Sequence, residues 1–109
     1  MELEGQEQQA LNRFREILTK QFGPEIISVH LFGSKARGDA HPESDIDVLV
    51  VTRHEDWRLK EKVGRVATEI LLDLGVYLSV KVLGKPLHQR LMSAGSPFIR
   101  NVMREGIAL

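Results

Sequence analysis

Two clusters in the 109-residue sequence gather residue types that could do chemistry: Gly33-Ser34-Lys35-Ala36-Arg37-Gly38-Asp39 and Ser44-Asp45-Ile46-Asp47. In the first, Gly33 follows an apolar run, and its missing side chain lets the backbone approach a ligand closely. Ser34 suits the cap of a short helical turn whose free N–H groups face outward, a cradle for phosphate, and its hydroxyl is a further donor. Lys35 and Arg37 add positive charge beside that cradle, and Gly38 lets the chain turn away. In the second cluster, Asp45 and Asp47 are two apart on an expected strand, so both carboxylates project from one face. Two hard oxygen donors side by side suit Mg2+, which takes one or two carboxylates and fills its shell with water and substrate phosphates. The loop from Gly38 to Ser44 would fold the cradle back over that face, so that triphosphate and metal meet between the two halves. Read singly, a Gly-Ser is a turn, an Asp-x-Asp a solvated strand end and Arg37 a surface cation. Their order along a strand, a turn and a second strand gives the combination its weight.

The elements that must position these residues are readable from apolar spacing. Leu11, Phe14, Leu18 and Phe22 recur at three- and four-residue steps, which predicts a helix from about Glu4 to Phe22, ended by Gly23-Pro24. The β-branched run from Ile26 to Phe32 predicts a strand bounded by Gly33. Ile46 to Val51 predicts a second, buried on both faces through Val48-Leu49-Val50-Val51. Leu59, Val63, Val66, Ile70 and Leu74 predict a helix over about Glu55 to Leu74, stopped by Gly75. Val76 to Leu83 predicts a third strand, with Tyr77, Ser79 and Lys81 on one face. A helix of about twenty residues between two strands implies a crossover, so the second and third strands are expected to be parallel. The remainder reads as a mixed helical tail, its last helix starting at Ser96-Pro97 and ending at Glu105 before Gly106. With no repeat, linker or low-complexity tract, residues 1–109 are expected to form a single domain.

Composition narrows the function classes. Hydrophobic residues at 42% and charged residues at 28% fit a globular chain and are too apolar for disorder. Fifteen basic residues balance fifteen acidic ones, which disfavours a polynucleotide partner, since proteins that grip nucleic acid carry a basic excess. No cysteine is present, so disulfides, thiolate metal sites and thiol nucleophiles are excluded together. Met1 to Gln9 is polar and acidic, without the apolar core of a signal peptide, and no run is long enough to cross a membrane. The expected location is the cytoplasm.

Gly33-Ser34, ten residues, then Asp45-Ile46-Asp47 resembles the signature of the minimal nucleotidyltransferases, small stand-alone members of the DNA polymerase β-like superfamily. The tail Ser96-Pro97-Phe98 with Asn101 and Arg104-Glu105-Gly106-Ile107 resembles the C-terminal segment of that family, so the likeness spans nearly the whole chain. The resemblance implies an α+β fold of the α/β kind, a mixed β-sheet flanked by helices. It implies transfer of a nucleoside monophosphate from a triphosphate, ATP by expectation, onto a hydroxyl, with pyrophosphate leaving. Asp45 and Asp47 would be the catalytic residues and hold one or two Mg2+ ions, while Gly33, Ser34 and Arg37 would bind the nucleotide. Many such proteins act as antitoxins beside a helical HEPN-domain toxin, by binding the partner or by adenylylating it. The oligomeric state is left open, a homo-oligomer included.

One part of the pattern is missing. Full catalysts of the superfamily carry a third carboxylate on the strand after the helix, completing a two-metal arrangement. Val76 to Val82 contains no acid, and Asp73 and Glu69 read as solvated helix acids. Nucleotide binding is therefore a firmer expectation than turnover, and a catalytically impaired antitoxin or binding module is the alternative. His30, His41, His54 and His88 lack metal-ligand spacing and read as surface or edge residues, and Trp57 as packing or an amphipathic edge.

Overall fold

Helix α1 (Gly5–Phe22) forms where the apolar steps place it, burying Ala10, Leu11, Phe14 and Leu18 along one stripe. A single 3-10 turn at Gly23–Glu25 then reverses the chain into strand β1 (Ile26–Phe32). The rest of the computed structural model follows in order: α2 (Ser34–Arg37), β2 (Ile46–Thr52), α3 (Trp57–Leu74), β3 (Leu78–Gly84), α4 (Lys85–Ser93), α5 (Pro97–Glu105) and β4 (Ile107–Ala108). The structure describes residue 3 and residues 5–38 and 45–109. The Gly38-to-Ser44 loop expected to bring the two motif halves together lies, from Asp39 onward, outside the described residues, as does His41.

The four strands form one mixed sheet in the order β3-β2-β1-β4. β1 runs antiparallel to β2 and to β4, while β2 and β3 are parallel, as the α3 crossover requires. Strand alternation sends Ile46, Val48 and Val50 of β2 to one face, where they pack with the buried stripes of α1 and α3. Leu49 and Val51 face the other way and form a smaller core with Ile99 and Val102 of α5, edged by Phe32, Leu83, Leu91 and Phe98. β2 is therefore buried on both sides, with Val48, Leu49 and Val50 fully inaccessible.

The element bounds depart from expectation in four places. α3 begins at Trp57, because the Asp56 side chain accepts hydrogen bonds from the N–H groups of Arg58 (2.9 Å) and Leu59 (3.4 Å) and caps the helix. Glu55 stays outside the helix and accepts from the Gly84 N–H at 2.9 Å, fastening the end of β3. β3 begins at Leu78, leaving Tyr77 exposed ahead of the strand. The tail contains a second helix, α4, that starts at Lys85-Pro86, and it ends in a two-residue strand whose His30 and Leu31 partners lie on β1.

Candidate functional site

Parallel and antiparallel registers fix which side chains share a row. Phe32 on β1, Asp47 on β2 and Ser79 on β3 are direct neighbours across the sheet, and His30, Leu49 and Lys81 form the next row. Both rows point to the face that carries Leu49 and Val51, the side of the smaller core. Cover by α5 reaches Leu49 but thins toward the start of β2, where Asp47 is half-buried and Asp45 exposed. Both carboxylates thus sit at the open end of an otherwise closed strand.

Gly33 brings the first half of the motif to them. Its backbone, φ 76° and ψ −159°, lies in a region essentially restricted to glycine. A Cβ there would stand 2.5 Å from Asp47 Oδ2, closer than any real contact allows. The carboxylate therefore packs directly on the glycine backbone, which no other residue permits. The chain then makes one helical turn, with Ala36 and Arg37 N–H groups both donating to Gly33 O at 3.1 Å and Gly38 N–H to Ser34 O at 3.0 Å. Gly33 is the cap of that turn and Ser34 its first residue, without a side-chain capping bond; the capping role expected of Ser34 is thereby corrected. Ser34 retains a first-turn N–H without an intrahelical partner, and Gly38 closes the turn in the left-handed conformation.

Of the two cations beside this turn, only Arg37 faces the site. Lys35 turns back to α1 and pairs with Glu7 at 3.1 Å, its side chain only 5% exposed, so its assignment beside the phosphate cradle is corrected: it anchors the turn to the body of the protein. Arg37 pairs with Glu105 of α5 at 3.3 Å and is close enough for its charge to act on Asp47. Gly33, Arg37, Phe32, Phe98, Asn101, Val102 and Glu105 line a cavity of about 230 Å³ beside the turn. Its apolar wall is the edge-to-face pair Phe32–Phe98, with centroids 5.5 Å apart. Asn101 and Glu105 carried no chemical assignment in the sequence, yet Phe98, Asn101, Val102 and Glu105 share one face of a helix by their three- and four-residue spacing.

Burial, then the like charge of Asp45, raises the proton affinity of the Asp47 carboxyl above the ordinary aspartate range; Lys81 and Arg37 oppose the rise. A half-buried carboxylate under the like charge of an exposed one, with Lys81 and Arg37 only partly offsetting it, is a donor set that a hard divalent cation would relieve. Among the described residues no third acid joins them. Ser79 occupies the neighbouring position on β3. Glu69 is exposed on α3, across the sheet, and Asp73 forms an exposed ion pair with Arg13 at 2.9 Å.

The chain is thus a mixed-sheet α+β domain in which a glycine turn is seated on the Asp47 carboxylate. The sequence profile of the family described as "Nucleotidyltransferase domain" matches residues 11–108, and the chain belongs to that family. It is 34% identical over 103 residues to a Methanocaldococcus jannaschii protein named "Putative protein adenylyltransferase MJ0604", covering 94% of this chain and 97% of that one. A 47-residue stretch is 43% identical to spectinomycin 9-adenylyltransferase of Staphylococcus aureus, 43% of this chain but only 18% of that enzyme. Among solved structures, one described as "Structure of putative minimal nucleotidyltransferase" superposes with a TM-score of 0.57 at 27% identity, covering 94% of both chains. A toxin–antitoxin structure with AMP-PNP superposes with a TM-score of 0.58 at 23% identity over 89% of this chain and 69% of that one, a likeness of fold. No described helix is long and apolar enough to cross a membrane.

Proposed function

We propose that this protein binds Mg-ATP and transfers its AMP group to a hydroxyl, the acceptor being carried by a protein partner. Asp45 and Asp47 hold the cation, while the Gly33-Ser34 turn and Arg37 hold the triphosphate. The observation that supports this reading is the close packing of the Gly33 backbone on the Asp47 carboxylate, one residue from each half of the motif. Mg2+ at the carboxylates would neutralise charge on the phosphates and on the departing pyrophosphate. The acceptor oxygen bonds to the α-phosphorus, the bond from that phosphorus to the β-bridging oxygen breaks, and the hydroxyl proton passes to solvent. Arg37 exchanges Glu105 for phosphate oxygens, a charge-assisted replacement of one anion by another. A cytoplasmic location, where ATP is plentiful, fits this role.

Incubation with α-labelled ATP, Mg2+ and a candidate partner should label the partner, and Asp45→Ala or EDTA should abolish the label. Absence of transfer to every acceptor offered, with ATP binding intact, would favour a second reading. In that reading the protein is an antitoxin that neutralises a HEPN-type toxin by binding it. The observation on its side is that the β3 neighbour of Asp47 is Ser79 and not an acid. Neutralisation that survives Asp45→Asn/Asp47→Asn would decide for it.

A further inference from the structure

We infer that the outer side of the α4–α5 hairpin is a docking surface for an acidic amphipathic helix of a protein partner. Although the chain is neutral overall, residues 85–109 carry Lys85, Arg90, Arg100 and Arg104 against a single acid, Glu105. The hairpin turn holds a cavity of about 360 Å³ floored by Ile99 and flanked by Met92 and Met103. Those methionines are 50% and 47% exposed, although Ile99 between them is buried to 1%. Arg100 and Arg104 rim the cavity. Arg100 reaches over Gly95, where a Cβ would lie 3.2 Å from its Nη2, and its guanidinium makes no hydrogen bond or ion pair among the described residues. Flexible thioethers around an apolar floor accept the apolar side chains of a helix, and an arginine rim selects carboxylates on its flanks. A cavity of this size takes one or two large side chains, as a helix anchor requires. Nucleic acid phosphates would use the arginines but leave the methionine floor unfilled, so a protein helix is the better match.

The position adds a purpose, which rests on the function proposed above. α5 presents Arg100, Met103 and Arg104 outward, while its opposite side contributes Phe98 and Glu105 to the cavity beside Gly33 and Arg37. A partner seated on the hairpin would lie on the opposite side of α5 from the cavity beside Gly33 and Arg37 and could deliver its hydroxyl toward that cavity.

The test uses the full chain with its methionine methyl groups labelled with 13C and a synthetic 18-residue peptide of leucine and glutamate, leucines at helical three- and four-residue spacing. The Met92 and Met103 methyl signals should shift with this peptide, and Arg100→Glu/Arg104→Glu should weaken binding at least about tenfold. Arg100→Gln, a milder change at an exposed site, should weaken it in the same direction. The thermal stabilisation by Mg-ATP should be the same in these variants as in the parent, so loss of docking and loss of nucleotide binding are read separately. Unmoved methyl signals at millimolar peptide would overturn the inference. So would equal binding of a leucine–lysine peptide, tighter binding of oligo(dT), or methyl shifts that depend on protein concentration without peptide, which would assign the face to nucleic acid or to a second copy.

Discussion

Asp47 is held where its charge is unfavourable. In the folded state its carboxyl binds a proton more tightly than in the unfolded chain, so the group destabilises the fold once pH exceeds its folded value. That cost is fully present at neutral pH and disappears as pH falls below the ordinary aspartate value. Asp47→Asn should therefore raise the melting temperature in metal-free buffer at pH 7, by a small amount because the group is largely solvent-screened, while removing nucleotide binding. A fall in melting temperature would mean that the carboxylate stabilises the empty fold. Gly33→Ala makes the opposite prediction, because its backbone conformation and the Asp47 contact both forbid a Cβ. It should cost about 1–3 kcal/mol and lower nucleotide affinity together, measured by denaturant unfolding and by titration with a fluorescent ATP analogue.

At the scale of elements, the site depends on how α2 and α4 are held. Lys35 ties α2 to α1 through Glu7, and the pair is poorly solvated, with side chains 5% and 18% exposed. Lys35→Ala should cost up to about 3 kcal/mol, and Lys35→Met/Glu7→Leu should recover most of it, since the pair is replaceable by packing. α4 brings His88 against His30 of β1, whose ring nitrogen contacts Ser28 Oγ at 3.1 Å; Leu49 and Ala108 flank it in register. Burial, then the His88 charge, lowers the His30 proton affinity, and His88 Nε2 is buried without a hydrogen-bond partner among the described residues. The folded state therefore binds this proton less tightly than the unfolded chain, and stability is lost as pH falls through about 6.5, the ordinary histidine value. Melting temperature should drop between pH 7.5 and 5.5, and the drop should narrow in His30→Gln. Strands and long helices were readable because their apolar period is long: Leu59 to Leu74 alone defines α3. α4 was hidden by Gly84-Lys85-Pro86, which reads as a breaker yet supplies a proline at the first helical turn, where its missing N–H costs nothing. β4 was hidden because two residues carry no alternation, and its place is set by pairing with His30 and Leu31 alone.

For the molecule as a whole, the sheet separates structure from chemistry. One face carries the large α1/α3 core, and the other a small core beneath α5 that stops short of Asp47. The place of Asp47 on the face of Leu49 and Val51 was legible because strand alternation fixes it by spacing alone, whereas Asp45, expected on the same strand, lies just ahead of β2. The roles of Lys35 and Ser34 were not, since which way a cation turns depends on an acid 28 residues away, Glu7. Nor was the Arg37–Glu105 link, which joins the turn to the last helix across 68 residues. Such an arrangement predicts that nucleotide, cation and fold are thermodynamically coupled. The most direct test is the melting temperature with Mg-ATP, with ATP plus EDTA, and in Asp45→Asn/Asp47→Asn. Ligand at 100 times its dissociation constant should stabilise the parent protein by about 2.7 kcal/mol, a shift of many degrees, with none in EDTA or in the double variant. A shift of equal size in the double variant, or no shift in the parent, would contradict the assignment of this site to Mg-ATP.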